Sequence, residues 1–248
     1  MSLPPAGRGP TPAPCAARLV AIDTSTERLV LAVGTPAGAY TCDEAGGPRA
    51  SARLLPALLE LLAEAGIGWA EVDAIAFARG PGAFTGLRAA CAVAQGLALG
   101  LGRPLLAIDS LQIVADAARA QGAGDALAVA MDARIDEVYA ARYRHDGRGW
   151  QAEQPPALWP LAALAAHWQA APPAVVAGSA LAAYGERLPL PPACTRWPEP
   201  GDRAAALLRL ARAAWAAGQR LDAADALPLY LRDKVALTTA ERAAPAPR

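Results

Sequence analysis

In RLVAIDTST (18–26) apolar positions run without a break from Leu19 to Ile22, which predicts a strand covered on both faces and closed by hydroxyl residues. RLVLAVG (28–34) and AYTCDE (39–44) continue as strands around the turn TPAG, so the chain opens with an antiparallel meander. SARLLPALLELLAEAG (51–66) changes to the helical period and stops at Gly66, and AIAFA (74–78) returns to a strand. Thr85 is the expected N-cap of a helix over 86–100. After Pro104, LLAI reads as a strand and SLQIVADAARA as a helix, and QGAGD (121–125) marks a boundary.

The second half begins like the first. Aligned without gaps, IDTSTERLVLAV (22–33) and MDARIDEVYAAR (131–142) both read strand, Asp, polar turn, strand, and Asp23 falls on Asp132. A hairpin that opens each half, followed by helices and further strands, predicts a duplicated two-lobe α/β protein. AVVAGSALAAYG (174–185) reads as strand then turn, and DRAAALLRLARAAWAAG (202–218) as an amphipathic helix. The expected division is a tail over 1–16, a first lobe over 17–110, a second lobe over 111–235 and a tail over 236–248. Helix 202–218 is a candidate to complete the first lobe.

Composition narrows the class. The 248 residues suffice for two lobes, each with a core, and formal net charge is zero. Tight, unaided nucleic-acid binding needs a basic patch, so any role on RNA requires a partner. Cys15, Cys42, Cys91 and Cys194 form no C-x-x-C pair, so reduced thiols and a cytoplasmic location are expected. The start of the chain is rich in Pro and Gly and lacks the apolar segment of a signal peptide. The longest uncharged apolar run, Ala89 to Gly102, is shorter than the roughly 18 residues a membrane span takes.

Three kinds of chemistry are testable on the residues. Two-lobe ATPases use a hairpin Asp for Mg²⁺ and a glycine-bearing turn for phosphate; here Asp23, Thr24, Ser25 and Asp132 are the candidates, but neither turn, DTSTE or DARIDE, contains Gly. An ATP-dependent transferase on a degraded nucleotide site therefore stands as one reading, and two structural hairpins as the other. RGPGAFTG (79–86) is likewise open between an anion site at a helix N-terminus and a tight strand-to-helix turn, and it lacks the Lys of a P-loop. His145 and His167 are the only histidines and neither has a ligand at i+4, which removes a zinc hydrolase; a Ser-His-Asp site would rest on one of these two.

The helices over 51–65 and 86–100 are too apolar for their expected place. A helix on one face of a sheet needs an apolar stripe about 100° wide. Leu54, Leu55, Leu58, Leu59, Leu61 and Leu62 cover more than that, and in the second helix only Arg88 and Gln95 are polar. Ala92, Gly96 and Gly100 repeat at i+4 and would admit another helix backbone. Either the two helices bury each other within the chain, or they form a protein–protein interface.

LVAIDTST, SARLLPALLELLAEAGI, DAIAFARGPGAFTGLRAACAVAQGLALGLGRPLLAIDSL, AMDARIDEVYAARY and PLYLRDKVA together resemble the TsaB (YeaZ) family, from about Leu19 to Val235. The resemblance implies an actin-like, sugar-kinase-like two-lobe fold and a non-catalytic dimerisation subunit of the bacterial tRNA threonylcarbamoyladenosine machinery. It implies pairing with a catalytic paralogue, TsaD, and with an ATPase, TsaE, tRNA being reached only through the complex, and a homodimer without the partner. Family members pair through the two N-lobe helices, so the carry-over lands on Leu54, Leu55, Leu58, Leu59, Leu62, Arg88, Ala92, Gln95, Gly96 and Leu99. No cofactor is implied for the chain by itself; a weakly held nucleotide at the partner interface stays open. TsaD-like paralogues carry a metal-binding histidine pair where this chain has LLAIDSLQIVADAA. Many members have His, Gly and Ser where Ala50, Ala78 and Ala83 stand, which lowers the expectation of ligand binding at the loop.

Overall fold

The computed structural model describes residues 16–47 and 50–232, and the expected tails lie almost wholly outside them. The opening meander is β1 (Leu19–Asp23), β2 (Arg28–Gly34) and β3 (Ala39–Ala45). Helix α1 (Ala50–Ala65) leads to β4 (Ala74–Gly80), α2 (Phe84–Leu101) leads to β5 (Leu105–Asp109), and the sheet order is β3-β2-β1-β4-β5. Strands β4 and β5 run parallel to β1. The second sheet repeats this plan with β6 (Ala126–Asp132), β7 (Glu137–His145), β8 (Trp150–Pro160), α4 (Leu161–Ala170), β9 (Val175–Ala177), α5 (Ala180–Tyr184) and β10 (Thr195–Trp197). Its order, β8-β7-β6-β9-β10, matches the first strand for strand. The molecule is an actin-like, two-lobe α/β protein built by duplication.

Alternation along the strands explains their continuous apolar runs, because both faces of the first sheet are covered. Val20, Ile22, Leu29, Leu31, Ile75 and Phe77 pack against α1 and α2. Their neighbours Leu19, Ala21, Ala32, Ala74, Ala76 and Ala78 face the other way, toward α3 (Ser110–Ala120) and α6 (Arg203–Ala216). That second face is mostly alanine, which brings α6 close, and a Cβ at Gly34 would lie 2.7 Å from Leu208 Cδ1. Thus α6 returns to the first lobe after the second lobe is complete.

The boundary between lobes is shared. Ile113 and Ala117 of α3 belong to the first lobe's core, whereas Leu111, Val114 and Ala118 belong to the second's. The start of α3 is capped by Asp109, whose Oδ1 accepts from Leu111 N at 2.9 Å. Its Oδ2 accepts from Tyr143 Oη of the second sheet at 2.9 Å, a polar tie between lobes. Burial raises the Asp109 carboxyl above the usual range, opposed by these hydrogen bonds.

Three expectations need correction. The stretch after β9, read as a turn, forms the short helix α5. Thr85 is not an N-cap: α2 starts at Phe84 with Ala83 in the capping position, because the loop before it is held by backbone contacts instead. Over its full length α2 is long and apolar enough to cross a membrane, more than the uncharged run alone indicated. It packs on a sheet, however, with Leu87, Ala90, Cys91, Ala94 and Ala98 buried.

The glycines of α2 differ in kind. A Cβ at Gly86 would lie 1.8 Å from the Thr24 carbonyl oxygen, whereas one at Gly96 meets nothing within 4 Å. Gly86→Ala is expected to cost at least about 2 kcal/mol through overpacking. Gly96→Ala should stabilise the isolated chain by ~1 kcal/mol, the ordinary helix preference. Urea unfolding of both variants checks the contrast.

Candidate functional site: interlobe cleft and two-helix face

A cleft of about 790 Å³ separates the lobes, with the turns of the two opening hairpins on opposite sides of its mouth. The paired aspartates sit alike. Asp23 Oδ1 accepts from Ser25 N at 2.7 Å and Asp132 Oδ1 accepts from Arg134 N at 2.8 Å, so each carboxylate closes its own turn. Each then has a second partner. Asp23 Oδ2 accepts from Arg203 Nη2 at 2.7 Å, both side chains being buried, and Asp132 accepts from Tyr184 Oη at 2.8 Å. Burial and that hydrogen bond push the Tyr184 phenol up to about 12.

The two turns differ in backbone. Arg134, Ile135 and Asp136 have φ of 64°, 54° and 52°, three successive left-handed residues without a glycine. Each costs about 1–2 kcal/mol relative to an ordinary conformation, and a β-branched residue such as Ile135 is the least suited to it. Ile135 is 80% exposed, so its burial does not offset the cost.

The glycine-rich loop packs against the turn of the first hairpin, and Gly82, Ala83 and Phe84 also line the cleft. A Cβ at Gly82 would lie 2.4 Å from the Ser25 carbonyl oxygen, and Gly86 has the similarly close Thr24. Ala83 N donates to Ser25 O at 2.7 Å and Thr24 Oγ1 donates to Gly86 O at 2.6 Å. These glycines therefore admit the first hairpin's turn, and of the two readings left open for RGPGAFTG the tight turn accounts for them. Of the nucleotide candidates, Asp23 is taken by Arg203 and Thr24 by α2. The Ser25 hydroxyl and Arg203 Nε line the cleft without a protein partner.

Helices α1 and α2 lie side by side on the same face of the first sheet. Leu54, Leu58 and Leu62 do not face outward: they are at most 3% exposed and belong to the chain's own core, so the apolar surface is narrower than the leucine count suggested. Leu55 and Leu59 are 44% and 53% exposed, and Leu99 on α2 is 79% exposed. Ala92 and Gly96 are exposed on the same side of α2 as Leu99, one and two turns apart. Gln95 is not a free polar mark on that face. Its amide donates to the carbonyls of Ala223 and Ala226, at 3.0 Å each. Arg88 lies over the Phe84 ring and donates through Nε to Tyr230 Oη at 3.1 Å.

The segment 221–232 that occupies this flank of α2 has no counterpart among the sequence-predicted elements. PLYLRDKVA carries the family resemblance, but without helical or strand periodicity nothing in it predicts a course across the molecule. The histidines stay apart: His145 lies edge-on to Trp150, and His167 stacks on Trp159. Among the described residues no three His, Cys, Asp or Glu side chains cluster as a metal site would require.

Residues 47–241 match the family model described as TsaD, tRNA N6-adenosine threonylcarbamoyltransferase. The tRNA threonylcarbamoyladenosine biosynthesis protein TsaB of Escherichia coli is 29% identical over 234 residues, 88% of this chain and 96% of that one. The Haemophilus influenzae TsaB is 40% identical over 121 residues, 49% of this chain and 51% of its own length. A solved structure of YeaZ from Pseudomonas aeruginosa superposes with a TM-score of 0.78 at 40% identity, over 87% of this chain and all of that one. The chain belongs to the TsaB/YeaZ family. As a TsaB/YeaZ member it takes part in tRNA threonylcarbamoyladenosine biosynthesis.

Removing the Asp23 carboxylate leaves Arg203 buried without its partner. Asp23→Ala is expected to destabilise the chain by about 3–5 kcal/mol, and Asp23→Asn by less. Thermal unfolding of the two variants measures the order; equal stability of wild type and Asp23→Ala would contradict the pairing.

Proposed function

We propose that this chain is a non-catalytic scaffold and dimerisation subunit, which docks a TsaD-type catalytic subunit through the exposed face of α1 and α2. The complex transfers the threonylcarbamoyl group to N6 of the adenosine beside the tRNA anticodon. A TsaE-type ATPase joins the assembly, tRNA is met only within it, and the setting is cytoplasmic. Without its partner the chain pairs with itself by the same face, and it needs no cofactor of its own.

One observation carries the reading: Leu55, Leu59, Ala92, Gly96 and Leu99 leave apolar surface and bare helix backbone exposed on two adjacent helices. Small residues on α2 let a partner helix approach closely, and leucines on α1 supply area to bury. The family's pathway and the balanced net charge both favour a subunit that reaches tRNA through others. The engagement of Asp23 by Arg203 weighs against the ATP-dependent transferase reading, since a magnesium ion would compete with a buried guanidinium.

A charge placed on this face should break docking without unfolding the chain. Leu59→Asp and Ala92→Glu are expected to weaken binding of the TsaD-type subunit at least about 100-fold, the scale of a buried unpaired charge. Co-purification and the threonylcarbamoyladenosine content of tRNA measure it. Retained partner and full modification in both variants would overturn the assignment, and micromolar Mg·ATP binding by the isolated chain would favour the transferase. Leu58→Asp, in the core, should instead abolish folding.

A further inference from the structure

Residues 221–232 leave the first lobe, cross the cleft and end on the second. Leu221 pairs with Leu105 at the edge of the first sheet, Leu105 N donating to Leu221 O at 2.9 Å and Leu221 N to Leu105 O at 3.0 Å. The Gln95 amide then grips the carbonyls of Ala223 and Ala226. Leu229 N donates to Arg79 O at 2.7 Å, and its carbonyl passes so close to Gly80 that a Cβ there would lie 2.7 Å away. The Tyr230 ring packs on Phe84 with centroids 5.1 Å apart. Arg232 finally reaches the second lobe. Its Nη2 donates to the carbonyls of Ala133, at 2.8 Å, and Arg134, at 3.4 Å, and pairs with the Glu137 carboxylate.

Those carbonyls belong to the left-handed turn over Arg134, Ile135 and Asp136 and to the residue that leads into it. Such a backbone persists only where its surroundings over-determine it. Within the second lobe the turn is also closed by Asp132, whose carboxylate accepts from Arg134 N at 2.8 Å and lies 3.5 Å from its guanidinium, and by backbone bonds such as Leu161 N to Asp136 O; the remaining ion pairs, Arg134–Glu27 and Arg187–Asp136, are exposed and weak individually. Arg232 differs from the exposed pairs and from Asp132, because it reaches the turn from the crossing segment, its side chain is only 18% exposed, and it binds backbone and carboxylate together.

We infer that residues 221–232 form a latch in which Arg232 holds the turn 134–136 in its left-handed form and so keeps the two lobes at their present closure. The latch also covers Phe84, Arg88, Cys91 and Gln95, the flank of α2 beside exposed Ala92 and Leu99. Opening at the cleft therefore uncovers more of the helix that carries the exposed face, which couples the two. The latch itself does not depend on what docks on that face.

Hydrogen exchange on the full chain tests this in wild type, Arg232→Ala and Arg232→Ala/Ile135→Gly. Arg232→Ala should speed exchange of amides in 133–137 and 223–231 about tenfold or more, while β1 and β4 stay protected. X-ray scattering should show a larger radius of gyration. Adding Ile135→Gly, which suits positive φ, should restore slow exchange in the turn and leave the latch fast. Unchanged exchange in Arg232→Ala, or a turn in the double variant as fast as in the single one, would overturn the inference. Should Arg232→Ala not fold, Arg232→Lys keeps the charge opposite Glu137 without the guanidinium's several donors and carries the same expectations. None of these readouts uses a TsaD-type subunit, and comparison of wild type and variants at one oligomeric state, checked by light scattering, keeps their failure distinct from a failure of docking.

Discussion

The contact of Gly82 and Gly86 with Thr24 and Ser25 sets the course of α2 and, through it, the use to which the first lobe can be put. Backbone meets backbone there, with Ala83 N on Ser25 O and Thr24 Oγ1 on Gly86 O, and no side chain fits between. This contact seats the start of α2 on the first hairpin. It aims the remaining turns of α2 along the sheet beside α1. The exposed stripe of Ala92, Gly96 and Leu99 is a consequence of that aim.

Beneath this contact lies the buried pair of Asp23 and Arg203. Its two residues are 180 positions apart in sequence, and the ion pair ties the return helix α6 to the turn of the first strand pair. The second lobe uses the equivalent aspartate differently, since Asp132 accepts from a tyrosine and closes a strained turn. Duplication thus supplied one scaffold twice, and each copy settled its central carboxylate with neighbours from its own surroundings.

Periodicity made β1 to β7, β9, α1, α3, α6 and the duplication legible in the sequence, because continuous apolar runs and helical stripes result directly from two-sided burial; β8, mostly exposed and interrupted by prolines, and the three-residue β10 carry no such run. It overstated the exposed face. Counting leucines on α1 cannot tell Leu55 and Leu59, which face outward, from Leu54, Leu58 and Leu62, which supply the core. Gln95 reads as a surface residue for the same reason: its partners are backbone carbonyls some 130 residues away, with no local signature. The latch was illegible because an extended segment without period owes its course to such long-range contacts. Conversely, the family resemblance favours the interface reading of α1 and α2 where periodicity alone left two alternatives.

The central claim, that the α1–α2 face is a docking surface, is tested most directly by light scattering. The chain alone should run well above its 25.4 kDa monomer mass at micromolar concentration. Mixing with a TsaD-type subunit should replace that species by one containing both chains. A monomer alone, together with two unshifted peaks in the mixture, would contradict the account.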